Sequence, residues 1–232
     1  MKLDLQENVL IFYGLLSVSL ILIRIPYVGV FLRTVNTLIH ETGHALAAIL
    51  VSGRVIRINI FNDTSGTTLT QAKSKASNFF VAIAGYPFSS LAALSMFFMI
   101  FHGFDELALY ILLGIAISAL ILFVRNRQGI VWLIFFILIT GSILLVNHKA
   151  IILFTAIAYS TILLADSVSS VFQLLIINIK KPKQAGDSSN LQKLTKIPSI
   201  IWSIIFLLIS GLLFYITIKL YFPEIPFLKH IQ

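Results

Sequence analysis

Cysteine is absent from the chain, which excludes disulfides and thiolate metal sites and leaves the redox compartment unread. Charge is nearly as scarce: 11% of the 232 residues are charged, against 58% hydrophobic. A soluble domain carries about 25% charged residues, so a soluble enzyme is excluded and a polytopic membrane protein is expected. The length suits one compact helical bundle, a single membrane domain over residues 1–232. Acidic residues number nine and basic ones 17. The resulting charge of +8 does not point to nucleic acid, because the basic residues lie in the gaps between apolar runs and no nucleic-acid motif accompanies them. The first apolar run, Val9 to Ile23, follows Asp4 and Glu7 and lacks a small-residue cleavage site, so it reads as a retained helix and not a signal peptide.

Seven apolar runs reach the length of about 17–25 residues that a helix needs to cross a bilayer: 7–24, 34–51, 78–101, 107–124, 129–147, 150–177 and 199–221. The second run is also open to being buried in protein. The fold class expected is an all-α integral membrane protein of six to seven transmembrane helices. If every run crosses and the N-terminus is cytoplasmic, the cytoplasmic side holds 12 of the basic residues: Lys2, Arg54, Arg57, Lys73, Lys75, Arg125, Arg127, Lys180, Lys181, Lys183, Lys193 and Lys196. Arg24, Arg33, Lys149, Lys219 and Lys229 remain outside, which favours N-terminus in and C-terminus out. Between the spans, residues 54–70 alternate β-branched and polar positions around Asn62-Asp63-Thr64-Ser65-Gly66 and predict a hairpin. Residues 178–198 read as an ordered or semi-ordered cytoplasmic linker before a C-terminal helix at 199–221. Asn78 reads as the N-cap of the third run, and Gly85 with Pro87 as a close helix contact or kink.

The informative polar residues lie inside the second run, as His40-Glu41-Thr42-Gly43-His44. An ionisable side chain at mid-bilayer costs about 2.5–3.5 kcal/mol on insertion scales, so such groups are functional candidates. Two histidines at i and i+4 share one helix face and can hold one metal ion, with the intervening glutamate placed to reach a metal-bound water. Catalytic zinc takes three protein ligands. His102, His148 and His230 fall in gaps or the tail and read as surface residues. Asp166 is the only other acidic residue within a spanning run, and helix rise of about 1.5 Å per residue places it near the depth of His40 and His44. It is the expected third ligand; the competing reading is a buried structural acid paired with a serine or with another helix. The chemistry expected is peptide-bond hydrolysis at membrane depth, one zinc per chain activating water and Glu41 moving its proton to the leaving amine. The 59–70 hairpin would offer an edge to an unwound substrate segment.

The ordered motifs resemble the site-2 protease superfamily of intramembrane zinc metallopeptidases, in its small bacterial branch. They are His40 to His44 followed by Ala45-Leu46-Ala47 and Gly53, then Thr64-Ser65-Gly66 with Thr68, and Ala84-Gly85-Tyr86-Pro87. Ala165-Asp166-Ser167 follows, then Gly186-Asp187, Leu191, Leu194-Thr195, Ile197-Pro198 and Trp202. The resemblance covers about residues 34–203 and implies a zinc held by His40, His44 and an aspartate on a later helix, with Glu41 as general base. Ala165-Asp166-Ser167 departs from the Leu-Asp-Gly of the wider superfamily. The resemblance also implies membrane-anchored protein substrates and a bacterial cytoplasmic membrane. Two rivals stand beside it: a catalytically silent zinc-site homologue acting as scaffold or chaperone, and an ion or solute transporter. No paired halves with broken helices support the last.

Overall fold

The computed structural model describes residues 9–182 and 185–223. Asp4, Glu7, Lys2, Lys183, Lys229 and His230 lie outside the described residues. Eight helices and one hairpin follow in the order α1 (Val9–Leu22), α2 (Val28–Leu50), β1 (Arg54–Ile60), β2 (Gly66–Gln71), α3 (Lys75–Phe101), α4 (Asp105–Leu122), α5 (Arg127–Val146), α6 (Lys149–Lys180), α7 (Gly186–Thr195) and α8 (Ser199–Tyr221).

Five described helices are long and apolar enough to cross a membrane: α3, α4, α5, α6 and α8. This is slightly fewer than the six to seven expected, for two physical reasons. The described part of α1 has 14 residues, short of the about 17 a crossing needs. Helix α2 is long enough, but its polar residues lower its hydropathy, and 12 of its 23 residues are buried in protein. It is the central helix, packed on α3, α6 and both strands. Hydropathy alone does not separate a helix facing lipid from one enclosed by other helices.

Phe12 stacks edge-on against Phe101 and Phe222, with ring centroids 6.0 and 5.0 Å away. Tyr13 donates to the Pro223 carbonyl at 2.8 Å. The start of α1 therefore shares one end of the bundle with the ends of α3 and α8. The expectation of opposite sides for the two termini assumed that every apolar run crosses, and α1 does not fit that scheme.

The hairpin forms as expected. β1 and β2 pair antiparallel, with Ile58 opposite Thr68 and Ile60 opposite Gly66, and a bulge between Val55 and Arg57. The outer edge of β1 is covered by the α4–α5 connection. Ile58 N–H donates to the Phe123 carbonyl at 2.9 Å, and the Asn126 side chain donates to and accepts from Ile60 at 2.6 and 3.1 Å. β2 is left as the free edge. Helix α3 is capped by Ser74, whose hydroxyl accepts from the Ser77 N–H at 3.0 Å. Asn78 is one turn further on and donates to the Ser74 carbonyl at 2.9 Å, so it braces the cap without being it.

The segment 178–198 is not a plain linker. It carries α7, which packs on α3 and α8 through Leu191 and sits in a buried cluster with Val171, Leu174, Trp202 and Phe206. Its polar composition hides a helix whose inward residues recur at three- to four-residue spacing.

Candidate metal and catalytic site

One face of α2 carries Arg33, Asn36, Thr37, His40, Glu41 and His44, all lining one cavity of about 610 Å³. Spacings of three, four and seven residues put them in a stripe. His44 is buried. Its Nδ1 lies 2.7 Å from the Val81 carbonyl, which has no proton to give, so Nδ1–H is the donor and Nε2 is the ring atom left to face His40 and Asp187. That Nε2 lies 3.1 Å from His40 Nε2 and 3.1 Å from Asp187 Oδ2, and His40 Nε2 lies 3.2 Å from the same oxygen. Burial pushes the Asp187 carboxyl up, but the two histidines, His44 foremost, outweigh this and hold it well below the usual carboxylate range.

Three ligand atoms thus converge on one point, and among the described residues His40, His44 and Asp187 form the one His/carboxylate group close enough to hold a metal ion. The donor set suits zinc: ligands at about 2.0–2.1 Å from a tetrahedral ion are about 3.3–3.4 Å apart. The observed separations of 3.1 to 3.2 Å differ by a few tenths of an ångström. His40 Nε2 and His44 Nε2 both face the same Asp187 oxygen, an arrangement that a cation at their centre would bridge.

Two glycines make room for this arrangement. A Cβ on Gly85 of α3 would lie 2.6 Å from Nε2 of both His40 and His44, which explains the glycine of Ala84-Gly85-Tyr86-Pro87. The next residue, Tyr86, sets its ring edge-on to His40 at 4.5 Å between centroids. A Cβ on Gly66 of β2 would lie 2.5 Å from Glu41 Oε1, so the strand reaches the glutamate only through glycine. Thr68, two residues on and facing the same way, donates to Glu41 Oε2 at 2.5 Å. The hairpin tip is tied to α2 by Thr37, which donates to the Thr64 carbonyl at 2.6 Å.

Of the residues singled out from sequence, His40, Glu41 and His44 come together in this cavity. Asp166 lines the cavity too but does not meet the histidines. Arg33 Nε donates to its Oδ1 at 2.7 Å and Asn36 Nδ2 to its Oδ2 at 3.1 Å. It is a buried acid ion-paired between α6 and α2, and the carboxylate beside the histidines is that of Asp187. The depth argument admitted only aspartates in spanning runs, whereas Asp187 arrives on the short helix α7. Its signal was present in the pair Gly186-Asp187, which belonged to the ordered motifs. His102 and His148 are exposed, as expected.

A family model described as Peptidase M50B-like matches residues 13–217. The chain belongs to this family, that of the site-2 proteases. M50 peptidases are in general zinc-dependent, in keeping with the converging His40, His44 and Asp187. No curated protein and no solved structure matches the chain significantly. The M50B family and the five apolar helices together make this a multi-pass membrane protein of intramembrane metallopeptidase type.

Proposed function

We propose that the protein is an intramembrane zinc metalloprotease that hydrolyses peptide bonds of membrane-anchored proteins, with His40, His44 and Asp187 as metal ligands and Glu41 as general base. The observation that carries this reading is the convergence of the three ligand atoms within 3.2 Å of one another in the cavity that Glu41 lines. Zinc bound there supplies Lewis-acid charge, worth several kcal/mol of transition-state stabilisation.

The chain's own groups do the rest. Glu41 accepts the proton of the attacking water and passes it to the leaving amine. The Thr68 hydroxyl holds Oε2 of that carboxylate at 2.5 Å, and Oε1 has no hydrogen-bond partner among the described residues. A substrate helix keeps its carbonyls in internal hydrogen bonds and must open before attack, yet main-chain groups without partners cost several kcal/mol each at membrane depth. The free edge of β2 answers this need. Ile58 and Ile60 turn their main-chain groups away from β2, toward Phe123 and Asn126. Their partners Gly66 and Thr68 therefore turn their own N–H and C=O groups outward, along the cavity. An extended substrate segment paired there lies beside Glu41.

The loop charges suggest that the site end of the bundle faces the cytoplasm: Arg54, Arg57, Lys73, Arg125, Lys181 and Lys196 lie between the helices at that end, and Lys193 lies on the short helix α7. The deciding experiment reconstitutes the protein in vesicles with single-span protein baits, wild type beside Glu41→Gln, at matched zinc content. Cleavage by wild type alone supports the reading. Equal cleavage by both removes Glu41 from it, and cellular activity that survives Glu41→Gln favours a silent homologue acting as scaffold.

A further inference from the structure

Asp187 has to be delivered to the histidines by a helix of only ten residues, and α7 has no side-chain N-cap to set its start. Ala185, just before it, is buried, and Gly186 has a φ of +48°. What holds this turn is a polar junction of α6, α7 and α8. Asn178, near the end of α6, is buried at 4% exposure, and Ser188 and Ser203 are fully buried. The Asn178 amide nitrogen lies 2.8 Å from Ser188 Oγ, 3.1 Å from the Leu174 carbonyl and within hydrogen-bond reach of Ser203 Oγ, so its two protons serve three acceptors. Ser188 follows Asp187 directly, and its own hydroxyl donates to the Ala185 carbonyl at 2.8 Å. Ser203 donates in turn to the Ser199 carbonyl on α8. Ser189 closes the turn from the other side, donating to the Pro182 carbonyl at 2.6 Å.

Among the described residues Asn178 Oδ1 is buried without a partner. The two serines already donate to main-chain carbonyls, so they do not need the amide for their protons. What the amide adds is a directional tie between α6 and the residue next to Asp187.

We infer that Asn178 is a positioning residue: through Ser188 it fixes the first turn of α7, and with it the Asp187 carboxylate, against His40 and His44. This rests on the reading of Asp187 as a zinc ligand. Groups that orient a ligand commonly cost about 10- to 100-fold in metal affinity when removed.

The test is a double-mutant cycle on zinc affinity, measured by chelator competition in detergent on the full chain. Asn178→Ala weakens zinc binding about 10-fold in the wild-type background. In the Asp187→Ala background its effect falls below about 2-fold, because nothing is left to position. Ser188→Ala, which cuts the α7 arm together with the Ser188 bond to the Ala185 carbonyl, repeats this pattern and serves if Asn178→Ala does not fold. Cobalt(II) as probe adds a second readout, its visible absorption shifting with Asn178→Ala as the carboxylate moves. No loss of affinity, or an equal loss with and without Asp187, overturns the inference. If Asp187→Ala itself leaves zinc affinity unchanged, the ligand assignment fails and the inference with it; a loss with Asp187→Ala and none with Asn178→Ala fails the inference alone.

Discussion

Replacing Gly85 by alanine adds one methyl group, and the structure puts that methyl against the rings of His40 and His44. The added Cβ would stand 2.6 Å from Nε2 of both His40 and His44. Non-bonded contacts settle at about 3.5 Å or more, so both rings, or α3 itself, must retreat by about 1 Å. His44 is pinned by the Val81 carbonyl on that same helix α3, four residues before Gly85. His40 is wedged against Tyr86, also on α3. Neither ring can swing away without giving up these contacts, and metal–ligand distances tolerate only about 0.2 Å. Zinc affinity should therefore fall by at least about 100-fold, the upper end of what supporting groups contribute. The helix itself should not suffer, because alanine is favoured over glycine inside helices by about 0.5–1 kcal/mol. The assay is zinc per chain by elemental analysis after dialysis against a weak chelator, read beside the thermal unfolding midpoint. A Gly85→Ala protein that keeps its zinc, or that loses zinc and fold together, refutes the reasoning.

Two further outcomes follow from the same cavity. Asp187→Asn should strip zinc from the purified protein, while Asp166→Asn should keep about one zinc per chain; stoichiometry by elemental analysis checks both, and the reverse result would restore Asp166 as ligand. Thr68→Val removes the hydroxyl held at 2.5 Å on Glu41 Oε2 and should lower kcat by about 10- to 100-fold with zinc content unchanged, the worth of a hydrogen bond to a charged group; an unchanged kcat on a cleaved bait would sink that role.

Much of the site was legible because its logic is local. His40, Glu41 and His44 lie within one and a half turns of a single helix, where spacing alone decides which side chains share a face. The hairpin was legible for the same reason, its alternation and its Gly66-containing turn being short-range signals. The two glycines of the motifs gained their meaning only in three dimensions: Gly85 and Gly66 are small because His40, His44 and Glu41 press against them from α2.

The carboxylate beside the histidines was out of reach because it depends on where a polar segment goes after leaving the bundle. Scarcity correctly marked Asp166 as a buried charge requiring a partner, but a partner of opposite sign answers that requirement as well as a metal does. Arg33 was that partner, and it was visible: it lies seven residues before His40, on the same helix face. In the seven-span scheme Arg33 counted as an outward loop charge, because the second run began at residue 34 and left it outside. Helix α2 begins at Val28, which brings Arg33 into the cavity and satisfies Asp166. Asp187, in contrast, sits in a stretch polar enough to read as linker, and among the described residues its charged partners are the two histidines. Of these two acids, the one without an arginine is the one close enough to the histidines to bind a metal with them.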